Sequence, residues 1–300
     1  MKKVEIIGAA IVDVLVSPAE ERVFQTGSYP AERILMTHGG DGLNEATVLH
    51  RLGAPVRLET VVGDDAAGQS VLRRMEALGM DCGGVQVREG LRTSVNVVLV
   101  QPDGQRCFLT DPRASQRQLR LEDIPMPFPQ DVGILCFASI FVFPLMKTAQ
   151  MQAVFAQAKA QGITVCADMT KCKNGERAED IAAALRYVDY LFPNDAEAML
   201  VTGADTVEDA AQVLLEAGTG TVVIKCGARG CYVKSGQEAF WAPAERCGEC
   251  VDTTGAGDSF VGGFLYGLTQ GWTVGQCVAY ANRCGAKAVE QLGAVTWIAP

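Results

Sequence analysis

Short runs of β-branched and apolar residues alternate along this chain with longer stretches whose apolar residues recur at helical spacing. That alternation limits the possible folds more than any other feature. Residues 4–8, 56–62, 133–137, 163–167, 190–192 and 221–225 read as strands. Residues 42–51, 68–78, 145–161, 179–187, 207–217, 256–270 and 274–290 read as helices. Strand and helix in turn predict a doubly wound α/β fold, a mostly parallel sheet with helices on both faces. Two regions break the rhythm: 11–16 with 31–37, and 93–100 with 107–110, are strands with no helix between them, and Gln101-Pro-Asp-Gly104 is a turn signal. They predict a small antiparallel sheet beside the main cleft, a candidate lid. No Ser/Gly linker or charge run marks a boundary, so residues 1–300 read as one domain with lid segments at approximately 11–37 and 92–111.

At 48% apolar and 20% charged residues the chain is too hydrophobic for disorder, and no 20 to 50 residue period suggests a solenoid. A net charge of −9 repels nucleic acid and anionic membranes, so neither is an expected partner, and an anionic ligand must be held by local groups. Glu5 and Asp13 interrupt the first apolar run, no later run reaches the ~18 residues of a membrane span, and the opening lacks a signal-peptide layout. Eleven scattered cysteines in a chain of this size fit a reducing cytoplasm. Cys247 and Cys250 form a CxxC, a spacing that suits zinc or redox chemistry. No second pair follows and both histidines, His38 and His50, lie far upstream, so its role stays open.

The segment Val251-Asp-Thr-Thr-Gly-Ala-Gly-Asp-Ser-Phe260 runs straight into a predicted helix. Gly255, Ala256 and Gly257 let backbone N–H groups come close to a ligand at the positive end of that helix, which makes an anion cradle. It is no Walker A loop, since GxxxxGK[ST] occurs nowhere, and GxGxxG is incomplete. Asp258, in the first turn, can deprotonate a hydroxyl attacking a phosphoryl group whose developing charge the cradle stabilises. Equally, an acid at that position does no more than complement the helix dipole.

Asp252-Thr-Thr-Gly-Ala-Gly-Asp-Ser-Phe260 closely resembles the C-terminal signature of the ribokinase-like (PfkB) carbohydrate kinases. Gly39-Gly40-Asp41-Gly42-Leu43-Asn44-Glu45-Ala46 is similar to that family's N-terminal Gly-Gly loop, and the resemblance runs from Gly8 to the C-terminus. It implies the ribokinase-like fold and transfer of the γ-phosphoryl group of ATP to a primary hydroxyl of a sugar or sugar acid. Asp258 would be the base, Gly255 to Gly257 the anion hole, and Mg²⁺ the bridge between phosphates. The resemblance further implies that Asp13, Gly39, Gly40 and Asn44 bind the sugar. Asn194 and Glu197, from an N-x-x-E motif, would organise magnesium through water, although an N-cap and capping box explain the same pair. Lys225, Gly227 and Gly230 would border the nucleotide, with Asn282 beside the adenine. Lys225 and Arg229 could reach phosphates, or simply be solvated. Asp252 and Thr254 resemble a monovalent-cation loop, which implies potassium as a further cofactor.

The acceptor is less defined. Asp41, Leu43 and Glu45 depart from the ribokinase pattern, and a Gly-Gly-Asp loop is similar to that of 2-keto-3-deoxygluconate kinases. Those need cations for a carboxylate, a role open to Arg106 and Arg113 of the lid, which are otherwise ordinary exposed arginines. Ribose, a ketohexose, a keto-deoxy acid and a nucleoside all stay open, as does a non-catalytic sugar or nucleotide sensor on the same fold. Edge strands in the lid predict a homodimer through that sheet.

Overall fold

A computed structural model describes residues 1–101 and 106–298, with Arg106 described by its backbone alone. The turn expected at 101–104 therefore falls almost wholly outside the described residues. The strands are β1 (Lys3–Gly8), β2 (Ile11–Ser17), β3 (Arg33–Gly39), β4 (Val56–Gly63), β5 (Val85–Arg88), β6 (Val95–Val100), β7 (Arg106–Leu109), β8 (Val132–Ile140), β9 (Thr164–Met169), β10 (Tyr190–Phe192), β11 (Thr221–Lys225), β12 (Cys231–Ser235) and β13 (Ala239–Ala242). The helices are α1 (Arg22–Thr26), α2 (Asp41–Arg51), α3 (Ala66–Leu78), α4 (Thr148–Ala160), α5 (Ala178–Leu185), α6 (Asp195–Thr202), α7 (Val207–Glu216), α8 (Ala256–Thr269) and α9 (Val274–Ala288).

Nine strands form the main sheet in the order β13-β12-β11-β10-β9-β8-β1-β4-β5. The run from β11 to β5 is parallel, and β12 and β13 add an antiparallel edge. All six strands expected for this sheet are present. The three beyond expectation, β5, β12 and β13, are four or five residues long, too short to show a period, and β5 and β12 also mix Gln, Arg, Lys and Ser among their apolar residues.

Strand alternation divides the core between the two faces. Ile7, Leu135 and Phe137 pack with residues of α4, α5, α6 and α7, while Val4, Ile6 and Ile134 pack with α2, α3, α8 and α9. Phe137 meets Phe143 and Phe155 edge to face at 5.7 and 5.6 Å. Glu5 and Glu59, in the middle of β1 and β4, are buried in this interior with no exposed surface. Burial and mutual repulsion push the Glu5 carboxyl up to about 7.

The second sheet runs β3-β2-β6-β7. The pairs β2–β3 and β6–β7 are antiparallel, and β2 joins β6 in parallel. The base of this sheet is clasped where the chain enters and leaves it. Ser94 N–H donates to Ser115 Oγ at 3.0 Å, Gln116 N–H donates to Ser94 Oγ at 2.8 Å, and Thr93 N–H donates to Asp65, the N-cap of α3, at 2.9 Å. The sheet stands off the body: the chain exposes 13572 Å², against roughly 12,200 Å² for a compact monomer of this mass. Ile34, Met36, Phe108 and Leu109 are all more than half exposed on it.

Candidate active site

In an open α/β sheet the ligand-bearing loops follow the carboxyl ends of the parallel strands. Here β1, β8, β9 and β11 end at Gly8, Ile140, Met169 and Lys225, and a cleft of about 880 Å³ lies beyond β8, β9, β10 and β11.

Its floor is set by α8. Gly255 is the N-cap at φ 72°, a left-handed conformation that favours glycine, and an added Cβ would strike Ala294 at 2.5 Å. Ala256, Gly257 and Asp258 line the cleft, and a Cβ at Gly257 would point at Lys225 Nζ, 3.5 Å away. Of the three cradle residues expected, Ala256 already donates its N–H to the Thr253 carbonyl at 3.3 Å.

Asp258 accepts a 2.6 Å hydrogen bond from Asn44 Nδ2, which ties α8 to α2 across the sequence. Burial, then the charge of Asp41, push the Asp258 carboxyl up to about 8; Asn44 and Lys225 act the other way. Helix α2 reaches this place because Gly40, at φ 96°, turns the chain and Gly42 lies against Gly8, where a Cβ would meet the Gly8 Cα at 2.5 Å. Asn44 Oδ1 is buried without a hydrogen-bond partner among the described residues.

Lys225 is not the solvated lysine that remained an option. Its side chain is 14% exposed and its ammonium donates to both oxygens of Asp168, at 2.7 and 2.9 Å. Burial lowers the lysine's proton affinity, but the carboxylates of Asp168 and Glu197 outweigh it and hold the lysine above its usual range. Asn194 and Glu197 form the capping box of α6, with Glu197 N–H to Asn194 Oδ1 and Asn194 N–H to Glu197 Oε2, both 2.8 Å, and both residues also line the cleft. Burial raises the Glu197 carboxyl to about 7. Gly227, Gly230 and Asn282 line the same cleft, although Asn282 Nδ2 is engaged with the Pro243 carbonyl at 3.0 Å. Arg229 faces outward, paired with Asp195 at 3.0 Å and lying over Trp241.

Asp13 sits on β2, where burial pushes its carboxyl up to about 6 and Asn96 and Asp41 are its polar neighbours. Gly39 packs against the Asp13 carboxylate, so Asp13, Gly39, Gly40 and Asn44 converge where the second sheet meets α2. Asp252 is buried; its Oδ1 accepts from Thr254 N–H and Oγ–H at 2.8 and 2.7 Å, and its Oδ2 from Gly293 N–H at 2.9 Å. Arg106 opens β7 opposite Val100, its side chain outside the described residues, and Arg113 is exposed beside Asp111.

Two cleft residues, Asp168 and Asp41, and one buried behind them, Glu45, were given no role by sequence reading. Asp168 lies at the end of β9, and an acid closing an apolar strand was the available signal. Asp41 was noticed only as a departure from a pattern; in the fold it accepts from Ser139 Oγ at 2.6 Å and both line the cleft. Glu45, wholly buried, accepts from the Cys136 thiol at 3.3 Å and is held well above the usual carboxylate range by burial and by Asp168 and Asp258.

Known proteins share this chain's sequence pattern and fold. The chain is 29% identical to aminoimidazole riboside kinase of Salmonella typhimurium, over 99% of this chain and 92% of that protein. Ribokinase of Thermotoga maritima superposes with a TM-score of 0.83 at 24% identity, covering 100% of this chain and 96% of its own, which shows the shared fold. A double mutant of fructokinase from Vibrio cholerae O395, solved with fructose, ADP and potassium ion, superposes with a TM-score of 0.82 at 28% identity over 99% and 95% of the two chains. The pfkB family carbohydrate kinase pattern matches residues 1–299, and by that match the chain belongs to this family.

Proposed function

We propose that this kinase transfers the γ-phosphoryl group of ATP to a primary hydroxyl of a sugar, sugar acid or nucleoside, in one step and without a covalent enzyme intermediate. One observation carries the reading: a carboxylate with a raised proton affinity, Asp258, stands in the first turn of α8 beside Gly257, with the buried Lys225 ammonium facing the same point. The base takes the acceptor proton as Asn44 holds its carboxylate in place, and the α8 amides with Lys225 receive the negative charge that develops on the transferred group. Asn44 Oδ1, a buried acceptor, suits a substrate hydroxyl, as do Asp13 and Asp41. Gly227, Gly230 and Asn282 would border the nucleotide.

Magnesium suits this donor set. Hard carboxylate oxygens of Asp168 and Glu197 crowd the cleft, while no three His, Cys, Asp or Glu among the described residues are placed to grip an ion directly. Phosphates and water would therefore supply most of its ligands, with Glu197 reaching it through water. Bound there, it would offset negative charge on the phosphates. Potassium suits the loop clasped by Asp252 and Thr254 next to the cradle. Free thiols at all eleven cysteines support a reducing, cytoplasmic setting. The apolar second sheet supports a homodimer formed through it.

The test is ADP release from ATP and magnesium with a panel of sugars, sugar acids and nucleosides, in potassium and in sodium. Acceptor-dependent release that falls by about 10²–10⁴ in Asp258→Asn is expected. Ligand-induced thermal shifts without turnover would instead favour a sensor, and a wild-type rate in the variant would remove Asp258 as the base.

A further inference from the structure

Two thiols unused by phosphoryl transfer stand at the edge of the cleft. Cys247 and Cys250 are exposed, and both line it. They lie between β13 and the loop that leads to Asp258, and the chain bends at Gly248 and Glu249, between them. The segment is tethered from α9's end: Gly248 N–H donates to Glu290 Oε1 and Val251 N–H to the Val289 carbonyl, each at 2.8 Å.

Exposure at the cleft edge separates this pair from the other cysteines, of which Cys82 and Cys172 are half-buried. Cys136, Cys166, Cys226, Cys231, Cys277 and Cys284 are buried. Burial holds their thiols above the usual range, with Cys231 and Cys284 at about 12, so they are poor nucleophiles. Cys107, also exposed, is on the second sheet. A zinc site needs four ligands, and no cluster of three or more His, Cys, Asp or Glu placed for a metal occurs among the described residues. What is left at 247 and 250 is an accessible dithiol.

We propose that Cys247 and Cys250 are a modification site for small-molecule disulfides, and that closing them into an intramolecular disulfide weakens nucleotide binding in the adjoining cleft. The second half rests on the reading of that cleft as the nucleotide site. One cysteine thiolate attacks the external S–S bond, forms a mixed disulfide and expels one small thiolate, which takes up the proton that the cysteine gave up. The other cysteine, as thiolate, attacks the protein sulfur of that mixed disulfide. The second small thiol leaves with the remaining proton, so the protein loses two electrons and two protons and the external disulfide is reduced to two thiols. A bridged pair has Cβ atoms about 3.5–4.5 Å apart. A bridge would fix the backbone of this four-residue segment, which carries the Gly248–Glu290 tether, and Asp252, whose carboxylate organises the turn before α8, is two residues beyond Cys250.

The full-length enzyme is incubated with reduced or oxidised glutathione, its cysteine peptides are weighed, and ADP binding is measured by calorimetry. Oxidised glutathione should remove the mass of two hydrogens from the peptide holding both cysteines and raise the ADP dissociation constant by about fivefold or more. Dithiothreitol should reverse both effects, and the ADP affinity of a Cys247→Ser/Cys250→Ser variant should not respond to oxidised glutathione. A peptide that stays reduced overturns the site, and one that stops at a glutathione adduct on one cysteine overturns the ring closure. A disulfide formed with unchanged ADP affinity overturns the coupling. Failure of the reduced enzyme to bind ADP would instead sink the nucleotide reading, and the peptide masses would still decide whether the dithiol reacts.

Discussion

Burial and the Asp41 charge raise the Asp258 carboxyl to about 8, so near neutral pH the protonated form is favoured. A base must be deprotonated to work, so kcat/KM for the acceptor should climb with pH and level off above about 8. The neighbours act with opposite signs. Asp41→Asn removes a charge that raises the proton affinity, and should move the midpoint of the pH–rate profile to lower pH. Asn44→Ala removes the hydrogen bond that favours the carboxylate, and should move the midpoint up. Coinciding midpoints in all three proteins would mean that another group limits the rate. The placing of Gly257 and Asp258 at the start of α8 was legible from small residues before an acid at a helix start, but the residues alone left the acid's role open and only the resemblance singled it out. Asp168 and Glu45 were not legible, since their meaning comes from Lys225 and Cys136, which the chain brings in from distant positions.

At the scale of elements, period and caps carried the reading as far as local signals reach. Every long helix with apolar spacing formed, and Asn194 with Glu197 proved to be both the capping box of α6 and part of the cleft wall. Sheet order was not legible: β8, the middle strand of the parallel run, pairs with β1, the chain's first strand, although more than a hundred residues separate them in sequence. That placement also buries Glu5 and Glu59 together, which no local pattern signals. Glu5 has its carboxyl raised to about 7 from an ordinary 4.5, so the native state holds more protons between those values and loses stability as pH rises through them. Glu5→Gln should therefore be close to wild type at pH 4.5 and more stable than wild type at pH 8, read as a smaller fall in Tm between the two. An equal fall in both proteins would show that Glu5 ionises freely in the native state.

For the whole molecule, the second sheet is the part whose surface is least explained by one chain. Ile34, Met36, Phe108 and Leu109 are exposed on it, and β3 and β7 are its edges. Sedimentation at micromolar concentration should give a dimer, and Phe108→Glu together with Met36→Glu should shift it to monomer; a wild-type monomer would leave this surface to another partner. The chain passes between the two sheets only within its first 115 or so residues, and from β8 onward every strand belongs to the main sheet. The groups converging on Asn44 come from that early stretch, whereas α6, β11 and α8 supply Lys225 and the amide floor. On the proposed reading, acceptor choice draws mainly on the first third of the chain and phosphoryl chemistry on the last, with Asp41 and Asn44 reaching across to set the proton affinity of Asp258, so drift in the first third retunes the acceptor without disturbing transfer only where it spares those two residues.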